Sequence, residues 1–191
     1  YINELANLCE KTGVDIQDVS FGMGSDERIG ERFLRAGPAY GGSCFPKDTR
    51  ALIDTAKSFK IDLSIVKNVV KSNEKRKLLL TNKVINILNK NLKNKIITFL
   101  GVTFKPNTDD MREASSIPMM NFLSKKNCKI RYFDPSGEKK ELNKIKNVRF
   151  YNNISSACFK SDLIIIHTEW NNFKLLNFKN LVKKKNFSIF D

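Results

Sequence analysis

Histidine occurs once in these 191 residues, as His167. A single imidazole leaves almost no material for a zinc site, a Ser-His dyad or a Cys-His dyad, and no metal site is expected. The four cysteines, Cys9, Cys44, Cys128 and Cys158, lie far apart and form no CxxC spacing. Cys9, Cys128 and Cys158 fall in apolar helix or strand patterns and read as free thiols of a reducing cytoplasm. Cys44 does not share that pattern. No apolar stretch approaches the ~20 residues of a membrane helix, and the longest clean run is Leu163 to Ile166. No GxGxxG follows a strand either. Gly22-Met23-Gly24 with Gly30 has no strand before it and misplaces its third glycine, so it is not a dinucleotide fingerprint.

What the chain has is ample apolar material, at 41% hydrophobic residues, and a net charge of +14. Its distribution argues against a nucleic-acid face. Residues 1–60 carry eight basic and nine acidic side chains and sum to −1, so residues 61–191 hold +15. Those lysines are scattered among Asn and Ile, without an aromatic-interleaved basic stripe or recognition-helix pattern. A solvated basic surface is the plainer reading, and it suits small anionic substrates. Opening on Tyr1-Ile2-Asn3 and closing on Phe190-Asp191 at a strand, the sequence reads as a piece of a longer protein.

The fold class expected is α/β, with a period change near residue 93. Before it the pattern is helical. Ile2 to Cys9 has helical apolar spacing stopped by Gly13, and a second short helix begins at Asp15. Residues 23–44 read as an ordered glycine-rich loop around Glu31 to Leu34, followed by a helix from Lys47 to Phe59. An amphipathic run from about Leu63 to Leu92 would span ~45 Å as one linking helix, or break near Ser72-Asn73; the single helix is the reading taken. Beyond it, Ile96–Val102, Lys129–Phe133, Val148–Tyr151, Leu163–Ile166 and Phe187–Phe190 are short strands. Helices over Ser116–Lys126, Ile154–Lys160 and Phe178–Lys183 alternate with them, which implies a parallel sheet covered on both faces. Residues 1–93 are thus a helical domain with a linking helix, and residues 94–191 a Rossmann-like domain. The polar loop Thr103 to Glu113, after the first strand, lies where such sheets bind ligands.

The segment Gly37-Pro38-Ala39-Tyr40-Gly41-Gly42-Ser43-Cys44-Phe45-Pro46-Lys47-Asp48 is unlike ordinary loop sequence. Gly41-Gly42 permits close approach of a ligand to the backbone. Cys44 falls just before a helix, where the positive dipole end favours a thiolate. Lys47 adds a cation, and Asp48 places a carboxylate four residues on. Those groups suit covalent acyl chemistry. A glycine-rich turn with a buried cysteine and a capping aspartate is the competing reading.

Arg28-Ile29-Gly30-Glu31-Arg32-Phe33-Leu34-Arg35-Ala36-Gly37, running into Gly41 to Asp48, resembles the nucleotide-sugar 6-dehydrogenases of the UDP-glucose/GDP-mannose dehydrogenase family. Gly101-Val102-Thr103-Phe104-Lys105-Pro106-Asn107-Thr108-Asp109-Asp110-Met111-Arg112-Glu113 is similar to that family's C-terminal signature, and His167-Thr168-Glu169-Trp170 to a strand-end segment. The resemblance covers essentially the whole chain. It implies oxidation of the C6 alcohol of UDP-glucose to a carboxylate with two NAD⁺, through a thiohemiacetal and a thioester on Cys44, with Asp48 acting on the hydrolytic water.

By the same resemblance, Phe33, Leu34, Arg35, Ala36, Gly37 and Gly41 would line the substrate pocket with Phe104, while Lys105 neutralises substrate charge. Lys47 and Arg112 would contact NAD. Arg28 would reach the neighbouring site of a homodimer. Glu169 and Trp170 are read as structural, packing the end of the sheet. The family's N-terminal NAD-binding domain is absent, as are a lysine and an asparagine expected just before Tyr1 and an arginine just after Asp191, so these residues alone are expected to be inactive. Sister enzymes of GDP-mannose or UDP-N-acetylhexosamines are the alternatives. Ser43 before the nucleophile, where the latter carry His, and the Arg28–Leu34 approach favour UDP-glucose. A non-catalytic nucleotide-sugar-binding dimerisation module is a further alternative.

Overall fold

The computed structural model describes residues 1–191. The first helix, α1 (Ile2–Thr12), buries Ile2, Ala6 and Cys9 along one stripe. It ends where Gly13, at φ 76°, takes the left-handed conformation and returns its amide to the Cys9 carbonyl. In α2 (Ile16–Gly24) the Asp15 carboxylate caps the Gln17 amide at 2.8 Å. That helix runs through Gly22 and Gly24, so two residues assigned from sequence to the following loop belong to it. A third helix, α3 (Phe45–Ser58), starts two residues earlier than the sequence pattern suggests, with Cys44 at its N-cap and Pro46 in its first turn, where a missing amide costs nothing.

Then α4 (Ser64–Ile87) runs unbroken through Ser72-Asn73. It stops five residues short of Leu92, because Asn89 and Lys90 adopt left-handed backbone at φ 50° and 60°. Leu88 and Leu92 nevertheless remain in the core beyond the helix end.

Residues 96–190 form a five-stranded sheet with strands β1 (Ile96–Leu100), β2 (Lys129–Phe133), β3 (Val148–Phe150), β4 (Leu163–Ile166) and β5 (Ser188–Phe190). The order is β3-β2-β1-β4-β5, all parallel. Between strands lie α5 (Ser116–Ser124), α6 (Ile154–Cys158) and α7 (Phe178–Val182). One face packs on α4 and α5 through Leu80, Val84, Ile97, Phe99, Met120 and Leu123; the other packs on α6 and α7 through Leu100, Cys158, Ile164 and Val182. Both faces are covered, so the central strands read as continuous apolar runs.

The chain leaves β3 at one edge and re-enters as β4 on the far side of β1, which puts the topological switch point between β1 and β4. The loop carrying Phe104, Lys105 and Arg112 leaves the carboxyl end of β1 at that point. No helix is long and apolar enough to cross a membrane.

Candidate active site

Cys44 is the one exposed cysteine of the four, all of which are free. As the N-cap residue of α3 its carbonyl accepts the Asp48 amide at 2.8 Å, so the carboxylate predicted to share its helix face stands one turn along the same helix. The Cys44 Sγ lies 3.5 Å from Ser43 Oγ. Lys47 Nζ and Asp48 Oδ1 pair at 3.3 Å, both well exposed. In such water-accessible surroundings that pair contributes little stability and leaves both groups free to meet a ligand.

Two widely separated motifs are brought into contact here. The Gly42 amide donates to the Arg112 carbonyl at 2.8 Å. A Cβ at Gly41 would lie 2.7 Å from the Glu113 carbonyl oxygen, and one at Gly42, whose φ is +85°, would lie 2.8 Å from the Phe104 ring. Both glycines are therefore required by the closeness of the loop after β1. Lys105 extends its ammonium over the Phe104 ring, 5.5 Å from the centroid, with its charge in solvent. Arg112 is exposed and held in a fork by Asp110, with Nε and Nη2 each 2.9 Å from its oxygens. That bond raises the guanidinium pKa.

Residues 33–37 are divided between solvent and interior. Phe33 is almost fully exposed, whereas the Leu34 side chain is buried and its carbonyl accepts the Ser20 hydroxyl at 2.6 Å. Arg35 reaches Glu169, at the carboxyl end of β4, across 4.0 Å. Glu169 is thus a solvent-facing partner of this loop rather than packing for the sheet; Trp170 does pack, against the α6–α7 face. Ala36 and Gly37 are partly buried. Arg28 points into solvent, paired only with Asp26.

The residues that hold this loop in place were missed by the sequence reading. Asn73, Arg76 and Lys77 form a buried polar stripe on α4. The Asn73 amide nitrogen donates to the Tyr40 carbonyl at 3.0 Å, and the Tyr40 amide donates back to Asn73 Oδ1 at 2.9 Å. Arg76 donates to the Gly37 carbonyl at 3.2 Å and to Asn7 at 2.6 Å; burial lowers its pKa, opposed by Glu10. These bonds bracket Ala39, a non-glycine residue held at φ 125°, a conformation that needs outside support. Three polar residues at i, i+3 and i+4 beside an apolar stripe were the available signal.

A groove of about 650 Å³ lies on the α6–α7 side, lined by Arg131, Tyr151, Ser156 and Lys183 among others, and includes none of the predicted site residues. Cys44, Lys47, Asp48, Lys105 and Arg112 are instead exposed, with Phe104 half-buried beside Lys105 in sequence. No His/Cys/Asp/Glu group is arranged to hold a metal ion.

The UDP-glucose/GDP-mannose dehydrogenase family, central domain, matches residues 1–75, and the same family's UDP binding domain matches residues 98–191. A UDP-glucose 6-dehydrogenase of Rickettsia prowazekii is 44% identical over 189 residues, covering 96% of this chain and 43% of that protein. The UDP-glucose 6-dehydrogenase YwqF of Bacillus subtilis is 43% identical over 175 residues, covering 91% and 40%. Among solved structures, a UDP-glucose dehydrogenase from Pyrobaculum islandicum superposes with a TM-score of 0.85 at 30% identity, covering 92% of this chain and 41% of that one. The chain thus spans well under half the length of each.

Proposed function

The chain belongs to the UDP-glucose/GDP-mannose dehydrogenase family, and from that premise we propose that it supplies the thiol and the sugar-nucleotide face of an enzyme converting UDP-glucose to UDP-glucuronate. The carrying observation is the 2.8 Å bond between Gly42 and Arg112, which seats the cysteine loop against the loop at the sheet's switch point. A nucleotide sugar lying at the carboxyl ends of β1 and β4 then extends its hexose toward Cys44.

In this reading Lys105 meets the substrate's diphosphate charge, and Phe104 with residues 33–37 and Gly41 forms the walls. Two NAD⁺ supply the hydride acceptors, one for each oxidation. Lys47 and Arg112, exposed cations flanking the thiol, fit the diphosphate of such a dinucleotide. After the first oxidation the Cys44 sulfur adds to the C6 aldehyde, whose oxygen takes the proton, giving a thiohemiacetal. That adduct would hold the carbon in place while a bound NAD⁺ accepted the second hydride and solvent water took the hydroxyl proton, leaving a thioester on Cys44. Asp48, one turn along α3, orients and deprotonates the water that attacks it. Cys44 leaves as thiolate and the carboxylate is released.

Residues 1–93 act as the helical domain and 94–191 as the sugar-nucleotide domain, working as a cytoplasmic homodimer in which Arg28 reaches the neighbouring site. The dinucleotide fold is supplied from outside these residues, so the chain alone produces no NADH.

The test fuses these residues behind the remaining segment of a curated relative and counts NADH per sugar nucleotide, with Cys44→Ala alongside. Two NADH per UDP-glucose, lost in the variant, is the expected result. Turnover of GDP-mannose or UDP-N-acetylglucosamine instead would retain the mechanism and overturn the substrate. NADH from none of the three would overturn the enzymatic reading.

A further inference from the structure

Glu113 is the point at which three parts of the molecule meet. Arg50 of α3 donates to its Oε1 at 2.9 Å, and Lys77 of α4, almost fully buried, lies 3.4 Å from its Oε2. Lys77 also pairs with Glu74 at 2.8 Å. The Arg50 bond, then the two positive charges, hold the Glu113 carboxyl below its ordinary range against the opposing effect of burial. Its backbone sits at φ 55°, a left-handed conformation that costs a side-chain-bearing residue ~1–2 kcal/mol. Its carbonyl oxygen is the atom that leaves no room for a Cβ at Gly41.

An isolated surface ion pair would carry no further meaning. This carboxylate differs because its partners sit on two different helices, one of them α3, which begins at Cys44. The same turn presents the Arg112 carbonyl to Gly42 and ends the loop that bears Lys105. Arg50 is about half exposed and adds little stability by itself. What the three-way pairing determines is the separation of the thiol helix from the Lys105 loop.

We infer that Glu113 is a positioning residue that locks the Cys44-bearing helix to the Lys105 loop, so that a sugar nucleotide held by the loop presents its hexose to the thiol. The inference rests on the functional reading above and deepens it. Displacement of a reacting group by ~1 Å can cost 10²-fold in rate, so a small loosening here falls on the thiol step and spares nucleotide binding.

The test uses this chain with Glu113→Gln and, because that variant could lose stability, Arg50→Gln at the more exposed partner. UDP affinity is measured by calorimetry, and the rate of Cys44 alkylation by iodoacetamide is measured with and without UDP-glucose. The expected result is UDP affinity within about threefold of wild type, with protection of Cys44 by UDP-glucose reduced roughly tenfold in Glu113→Gln and roughly threefold in Arg50→Gln. Unchanged protection in both variants would overturn the inference. So would a loss of UDP affinity in proportion to the loss of protection, the signature of simple destabilisation. If wild-type Cys44 is not protected at all, the substrate reading itself falls and takes this one with it.

Discussion

The amide of Gly42 and the carbonyl of Arg112, seventy residues apart in sequence, meet at 2.8 Å, with the Phe104 ring pressed against the Gly42 backbone. Gly42→Ala must pay for a left-handed alanine and move the ring. The expected loss is about 2–3 kcal/mol, a fall of ~4–10 °C in melting temperature for a chain of this size. Gly13→Ala is the control, since Gly13 has a similar φ with open space around it, and it should cost only about 1 kcal/mol. Equal effects of the two substitutions would mean that the contact with Phe104 is unimportant.

The cysteines should separate by accessibility. Burial pushes the Cys128 thiol up to about 11 and the Cys158 thiol to about 12, the latter against a small opposing effect of Arg131. At pH 8 only about one Cys128 in a thousand is a thiolate. Iodoacetamide mapped by mass spectrometry should therefore modify Cys44 first, with Cys9, Cys128 and Cys158 reacting only on unfolding. Modification of all four at one slow rate would remove Cys44 from consideration as a nucleophile.

Asn73→Ala deletes both hydrogen bonds to Tyr40 and leaves the strained Ala39 without its nearest support. A cost of about 1–2 kcal/mol is expected, because a half-buried amide and carbonyl lose their partners together. Urea denaturation measures it. A change below about 0.5 kcal/mol would show that the loop conformation is held elsewhere.

His167 predicts the acid limb of stability. Burial lowers its pKa to about 4, and its neutral ring bonds Ser115 at 2.9 Å through Nε2. A folded pKa below the unfolded value of about 6.5 means that this contribution is complete above pH 6.5 and is lost as the pH falls toward 4. The full loss is on the order of 3 kcal/mol. Urea midpoints should fall across that window in the wild type and fall less in His167→Gln, which cannot ionise. Parallel slopes in the two proteins would assign the acid limb to carboxylates such as Asp162.

Asp162 shows why the strand pattern was so easily read. Its carboxylate accepts the Ile96 amide at 2.9 Å and pairs with Lys184 at 2.6 Å, tying the amino ends of three strands that were each legible as short apolar runs. Period and punctuation suffice for such elements, since a strand buried on both faces has little freedom in composition. The cysteine loop was legible for a different reason: Gly41-Gly42 and the residues to Asp48 serve no repeating pattern, so only a local requirement accounts for them. Leu34 marks the limit. Sequence placed it with Phe33 in one lining segment, yet the two side chains point to opposite environments, one buried and one in solvent.

By itself the sequence determined the elements, their α/β order and the two motifs, because hydrophobic period, helix stops and special glycines are local properties of the chain. Only the tertiary structure decided that those motifs touch, that Asn73, Arg76 and Lys77 turn inward to hold a strained loop, and that Glu113 joins Arg50 to Lys77. The physical reason is the same in each case. A polar residue on a helix is equally at home in water, and whether it is a surface group or a buried hydrogen-bond partner depends on which distant segment packs over it.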